Sequence, residues 1–155
     1  MPVIVELSQS DDFDQDDDDV PLLSQLQQWA NEACLENADV VASMQLLSKD
    51  EMQSLNRDYS GKDKPTNVLS FPMQLPEQVE INLLGDLALC AEVINTEAEQ
   101  QNKSHDAHWA HMVIHGMLHL QGYDHINKEE AVVMEALEVK ILDKLGFDNP
   151  YETNP

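Results

Sequence analysis

The sequence predicts an α+β fold, a small mixed β-sheet packed with helices, and three observations predict it. Segments in which apolar residues alternate with polar ones interleave with segments whose apolar residues recur every three or four positions, the periods of strand and helix. Turn residues and helix caps fall between these segments, and no repeat or linker interrupts them. The length, 155 residues, gives room for one domain with an adequate core, taken as residues 1–155.

Taken in order, Val3 to Leu7 reads as a short strand. Pro21 opens an amphipathic helix with Leu22, Leu26, Trp29, Ala30 and Ala33 on one face. Val40 to Leu47 reads as a strand, with Val40, Ala42, Met44 and Leu46 on one side. A short helix from Lys49 to Asp58 leads into a loop containing Gly and Pro, followed by a strand from Asn67 to Phe71. Another strand runs from Gly85 to Leu89, and a helix follows from Ala91 to Gln101. A helix over His105 to Gln121 buries Ala110, Val113, Ile114, Met117 and Leu118. Asn127 with Glu130 forms a capping box for a last helix, which Gly146 closes.

The formal net charge is −22, from 30 acidic against 8 basic residues. Taken alone, this argues against a nucleic-acid partner, because neutralising phosphates supplies most non-specific affinity. Seven aspartates crowd residues 11–19, read as a solvated acidic loop. The cations are less evenly spread: Arg57, Lys62 and Lys64 fall within one short stretch and form a local basic patch on an acidic body. Two cysteines, Cys34 and Cys90, give no disulfide framework and match no metal-binding pair, which places the chain by default in a reducing cytoplasm. The N-terminus lacks the basic-then-apolar pattern of a secretory signal, and no apolar run approaches the roughly 20 residues that cross a bilayer. No membrane partner is expected.

The chemistry is concentrated in His115-Gly116-Met117-Leu118-His119-Leu120-Gln121-Gly122-Tyr123-Asp124-His125. His115 and His119 lie one helical turn apart on one face. Gly122 can take the left-handed conformation that ends a helix, so the chain turns back and brings His125 to the same point. Three imidazoles with no obvious fourth protein ligand describe a catalytic metal site with a position open for water. Zn²⁺, one per chain, is the expected ion, although three histidines also accept nickel, copper or cobalt. His108, His111, His115 and His119 form one stripe, but His111 and His119 are roughly 12 Å apart along a helix axis, against a metal–nitrogen bond of about 2 Å. One ion must therefore take one adjacent pair, and only His115 with His119 has a glycine turn and a third histidine behind it. His105, His108 and His111 are expected to be exposed or to support the ligands from outside.

The ligand spacing resembles the metzincin motif H-E-x-x-H-x-x-G-x-x-H, but Gly116 stands where those proteases carry the glutamate base. The pattern keeps the metal cage and loses the peptidase base, which a Gly116→Glu change would put back at its zincin position. The fuller pattern H-G-x-L-H-L-x-G-Y-D-H resembles the signature of the YbeY family of bacterial single-strand endoribonucleases. The stretch Leu55 to Pro72, containing D-Y-S-G-K-D-K-P-T-N-V-L-S-F-P, and Leu84-Gly85-Asp86-Leu87 extend the likeness over nearly the whole chain after the N-terminus. Ser60 departs from it, because family members typically carry arginine there.

The resemblance implies a zincin-like metal-dependent hydrolase fold and a zinc-dependent endoribonuclease of the cytoplasm. Its implied substrates are rRNA precursors, especially the 3′ end of 16S rRNA, and its implied partners are the ribosome and small-subunit proteins. On this reading His115, His119 and His125 hold the ion. Asp124, beside a ligand, orients an imidazole or accepts a proton, or else caps its loop. Lys62 acts in catalysis and phosphate binding, and Arg57, Ser60, Lys64 and Ser70 bind substrate, with Thr66 and Asn67 able to add hydrogen bonds. Asp86 admits a catalytic or a turn role, and Trp109 and Tyr123 are read as packing residues. Two rivals stay open: a ribosome-associated assembly factor with a structural metal, and a zincin-like protease with another base.

Overall fold

The structure is a computed structural model and describes residues 3–10, 13, 19–35, 40–73 and 83–151. Most of the acidic run at 11–19 lies outside these. The element order is β1 (Val3–Gln9), α1 (Leu23–Ala33), β2 (Val40–Leu47), α2 (Lys49–Ser60), β3 (Val68–Pro72), β4 (Leu83–Cys90), α3 (Ala91–Gln100), α4 (His105–Leu120) and α5 (Lys128–Lys144). The sheet has the order β1-β2-β4-β3, with β1, β2 and β4 parallel and β3 antiparallel to β4. It is therefore a mixed sheet packed with helices, as the sequence predicts.

Strand alternation separates two apolar layers. Val40, Ala42, Met44 and Leu46 of β2 and Leu87 and Leu89 of β4 join α1, α4 and α5 in the main core. On the other face, Leu47, Ala88 and Cys90 meet Met52 of α2. Helix α4 lies in the middle of the main layer, and Trp109, Ala110, Val113, Ile114, Met117 and Leu118 are all nearly or wholly buried. A helix apolar on nearly every side belongs in a core. This sets His115 and His119 on a rigid element.

Caps fix the helix ends near the site. Ser48 Oγ accepts from Glu51 N at 3.2 Å, and Glu51 Oε1 accepts from Ser48 N at 3.0 Å, starting α2. Gly61, at φ +79°, ends it and releases the chain into the segment that leads to β3. Asn127 Oδ1 accepts from Glu130 N at 2.8 Å, which gives half of the predicted capping box, while the Glu130 carboxylate accepts from Asn127 Nδ2 and not from its backbone.

Two boundaries differ from the sequence reading. Leu22 is extended (φ −66°, ψ 150°) and 69% exposed, so it precedes α1 instead of packing in it. Gly85 sits inside β4 and not at its start. The β2–β4 register shifts beside it, from Val41↔Leu83 to Ala42↔Gly85. Its φ is +151°, and a Cβ there would lie 2.5 Å from the Phe71 carbonyl oxygen and 2.7 Å from Leu120 Cδ2. A backbone oxygen cannot give way as a side-chain tip can. Gly85→Ala is therefore expected to lose about 2–4 kcal/mol, from overpacking and backbone strain together, read as a lower urea midpoint in equilibrium unfolding.

Candidate metal centre

Helix α4 starts at Ser104, whose Oγ accepts from Ala107 N at 3.1 Å. It ends beyond His119, where Gly122 N donates to His119 O at 3.0 Å and Tyr123 N to Leu118 O at 3.1 Å. Gly122 has φ +100°, and a Cβ there would meet nothing within 4 Å. The backbone conformation calls for glycine there, whereas lack of space does not. The turn carries His125 back over the end of the helix. The ring centroids of His115 and His119 are 4.6 Å apart, with His125 5.3 Å from the first and 5.0 Å from the second. One ligand atom from each lies within 4.8 Å of the others.

The donor set fits a small divalent ion. At a bond length of about 2.0–2.1 Å, two nitrogens on one tetrahedral zinc stand about 3.3 Å apart. His115 Nε2 and His119 Nε2 are 3.1 Å apart. Burial and the neighbouring His115 hold His119 below the ordinary imidazole value, against the opposing pull of Asp124. A neutral ring keeps the lone pair that a metal needs.

The other histidines of the stripe are not exposed. His108 and His111 are buried. His108 Nε2 donates to Glu97 Oε1 at 3.0 Å, and Asn67 Nδ2 donates to the same oxygen at 3.0 Å. Burial raises the Glu97 pKa, but the hydrogen bonds from His108 and Asn67 outweigh it and leave the carboxyl below its usual value. His111 Nε2 donates to Glu138 Oε1 at 2.7 Å, and His115 Nδ1 donates to Glu138 Oε2 at 2.9 Å. Burial opposes ionisation of Glu138, yet bonds from His111, His115 and Tyr151 lower its pKa to about 2. Burial and that same carboxylate raise the Tyr151 phenol, which stays a donor. The buried Nδ1 atoms of His108 and His111 have no hydrogen-bond partner.

The triad opens into a cleft of about 630 Å³. Its other walls include Asn56, Tyr59, Ser60, Lys62, Lys64, Thr66, Asn67, Ser70, Tyr123 and Asp124. Asn56 is buried and its Nδ2 donates to Lys64 O at 2.8 Å, which ties the lysine-bearing segment to α2. Lys62 and Lys64 are exposed. Ser60 Oγ donates back to Asn56 O at 2.8 Å, and Ser70 Oγ points at Gly116 O at 3.5 Å.

Arg57 does not line the cleft; its guanidinium sits 3.4 Å from Asp58 and 4.0 Å from Asp63. Asp124 Oδ1 accepts from His125 N at 2.8 Å and lies 3.4 Å from His125 Nδ1 and 4.0 Å from His119 Nδ1, so it caps the loop beside both rings. Asp86 is exposed on β4, outside the cleft. Trp109 is core, its Nε1 donating to Asn95 Oδ1 at 2.7 Å, while Tyr123 packs on the core and also edges the cleft.

Glu138 is the residue that sequence reasoning missed. A signal was present: Met134, Glu138, Ile141 and Leu142 occupy one helical face, and an acid among apolar neighbours there asks for a buried partner.

Comparison with known proteins gives a consistent result. A family model described as Endoribonuclease YbeY matches residues 9–146. A Colwellia psychrerythraea protein named Endoribonuclease YbeY is 50% identical over 137 residues, spanning 85% of this chain and 88% of that protein. An Alteromonas mediterranea protein of the same name is 50% identical over 138 residues, spanning 88% of this chain and 87% of that protein. The solution structure of a Thermotoga maritima protein aligns over 97% of this chain and 100% of its own, with a TM-score of 0.52 and 23% identity, a likeness of fold.

Proposed function

The chain belongs to the YbeY family of endoribonucleases, and from that premise we propose that it cleaves single-stranded RNA hydrolytically in the cleft floored by His115, His119 and His125. The observation that carries this reading is the convergence of three imidazole nitrogens in a cleft that Lys62 and Lys64 also line. His115, His119 and His125 hold one Zn²⁺ per chain, and a bound Zn²⁺ supplies Lewis acidity that polarises a phosphoryl oxygen and makes water acidic enough to attack near neutral pH. The chain acts as one domain, residues 1–155.

Lys62 places a mobile positive charge where a phosphodiester gains negative charge, and Lys64 draws the flanking phosphates. Thr66, Ser60 and Ser70 offer hydroxyls to the sugar–phosphate backbone. Asp124 holds the His125 loop and, as the carboxylate that lines the cleft, is placed to accept a proton. Arg57, outside the cleft and paired with Asp58 and Asp63, contributes charge only at longer range. The substrates are rRNA precursors, the 3′ end of 16S rRNA among them, and the partners are the ribosome and small-subunit proteins in the cytoplasm. Among the described residues no helix is long and apolar enough to cross a membrane.

Cleavage of a defined single-stranded RNA by purified zinc-loaded protein, beside the His119→Ala form, tests the reading. Equal cleavage by both would overturn it. The rim has its own expected result. A serine hydroxyl gives one neutral hydrogen bond, already turned to Asn56, where arginine gives a charged fork. Ser60→Arg is expected to tighten single-stranded RNA binding by about 1.5–3 kcal/mol, and Lys62→Ala to weaken it with a shallower salt dependence. Fluorescence anisotropy at two salt concentrations measures both. If neither change registers, the rim does not contact RNA, and an assembly factor with a structural metal becomes the better account.

A further inference from the structure

Among the described residues, Glu138 is the only acid that the fold buries, and its exposure is 0%. A buried carboxylate is costly unless donors surround it, and an apolar residue would serve the core of α5 better. Three donors do surround it. Oε1 receives His111 Nε2 at 2.7 Å and the Tyr151 hydroxyl, and Oε2 receives His115 Nδ1 at 2.9 Å. An ionised carboxylate only accepts, so His115 must carry its proton on Nδ1. That leaves the Nε2 lone pair aimed at His119 Nε2, 3.1 Å away.

Tyr151 comes from outside the span matched by the family model, residues 9–146. Its segment is tied to the body of the fold by Lys103 Nζ donating to Pro150 O at 3.2 Å, and it closes a local turn in which Tyr151 N donates to Asn149 Oδ1 at 2.8 Å. The ring stands edge-on to His111, with centroids 5.4 Å apart.

We propose that Glu138 is the positioning residue of the metal centre and that Tyr151 is its clamp, so that the C-terminal segment is built into the site. The inference rests on the reading of His115, His119 and His125 as metal ligands. Glu138 fixes the tautomer and ring orientation of His115. Tyr151 and His111 occupy Oε1, so that Oε2 is left to His115 alone.

The test uses the full chain and zinc itself. Zinc affinity is measured by competition with a chromogenic chelator for wild type, Glu138→Gln, Tyr151→Phe and His125→Ala, with circular dichroism of each metal-free form. Glu138→Gln is expected to bind zinc about 10–100-fold more weakly, as for other outer partners of ligating histidines, and Tyr151→Phe several-fold more weakly with an unchanged spectrum. In metal-free protein, ¹⁵N spectra are expected to show His115 protonated at Nδ1 in wild type and to lose that signature in Glu138→Gln. Wild-type affinity in both Glu138→Gln and Tyr151→Phe, with zinc lost in His125→Ala, would overturn the positioning role and leave the metal centre standing. Weak zinc binding in Glu138→Gln only alongside a lost fold, with Tyr151→Phe unaffected, would likewise overturn it. No zinc binding by wild type would reject the metal centre first.

Discussion

His119→Ala is expected to strip the metal from the protein and drop RNA cleavage to background while the fold survives. The ring is half-buried at the end of α4, and its Nε2 is the nearest neighbour of His115 Nε2 in the triad. Removing it leaves two ligands where a catalytic zinc takes three. Elemental analysis is expected to give close to one zinc per wild-type chain and little in His115→Ala, His119→Ala or His125→Ala. His105→Ala should keep its zinc, because that residue stands at the other end of α4 beside Glu99 and Asp19. Full zinc in His125→Ala would reject the third ligand. Full cleavage by a zinc-free variant would reject the metal's catalytic role.

Gly116→Glu is expected to destabilise the protein strongly and not to install a protease base, contrary to the sequence expectation. A Cβ on Gly116 would lie 2.8 and 3.1 Å from the two terminal carbons of Leu87 and 3.4 Å from Ser70 Oγ. Leu87 is 1% exposed, so it has nowhere to move. Alanine gains about 1 kcal/mol of helix propensity, yet overpacking of about 1–3 kcal/mol outweighs it. Glutamate adds a charge with no partner, and the loss should reach about 3–5 kcal/mol. Urea unfolding of Gly116→Ala and Gly116→Glu measures both. A Gly116→Glu protein as stable as wild type would show that α4 lies less tightly on β4 than described.

Much of this was legible in the sequence because local rules decide it. The period of Val40 to Leu47 gave β2 its bounds, and Asn127 and Gly122 marked helix ends through their own backbone chemistry. The triad was legible because its residues and its turn are contiguous. Pairings across the fold were not. Glu138 is 23 residues from His115 and 27 from His111, and only the packing of α5 on α4 joins them. His108 and His111 looked surplus because the carboxylates that bury them lie on α3 and α5. Arg57 shares a stretch with Lys62 and Lys64 but pairs with Asp58 and Asp63 and stays out of the cleft, a choice that spacing does not encode.

That the ligands all fall within residues 115–125 bears on how zinc and folding are coupled. Chelation by so short a stretch closes only small loops, so capturing the ion demands little chain entropy even before the domain is assembled. The unfolded chain is therefore a competitor for the same metal, and zinc raises the melting temperature only by its preference for the folded form. The observed shift should fall short of what the folded-state affinity alone would give. The shortfall measures how much of the affinity is already present in the disordered peptide.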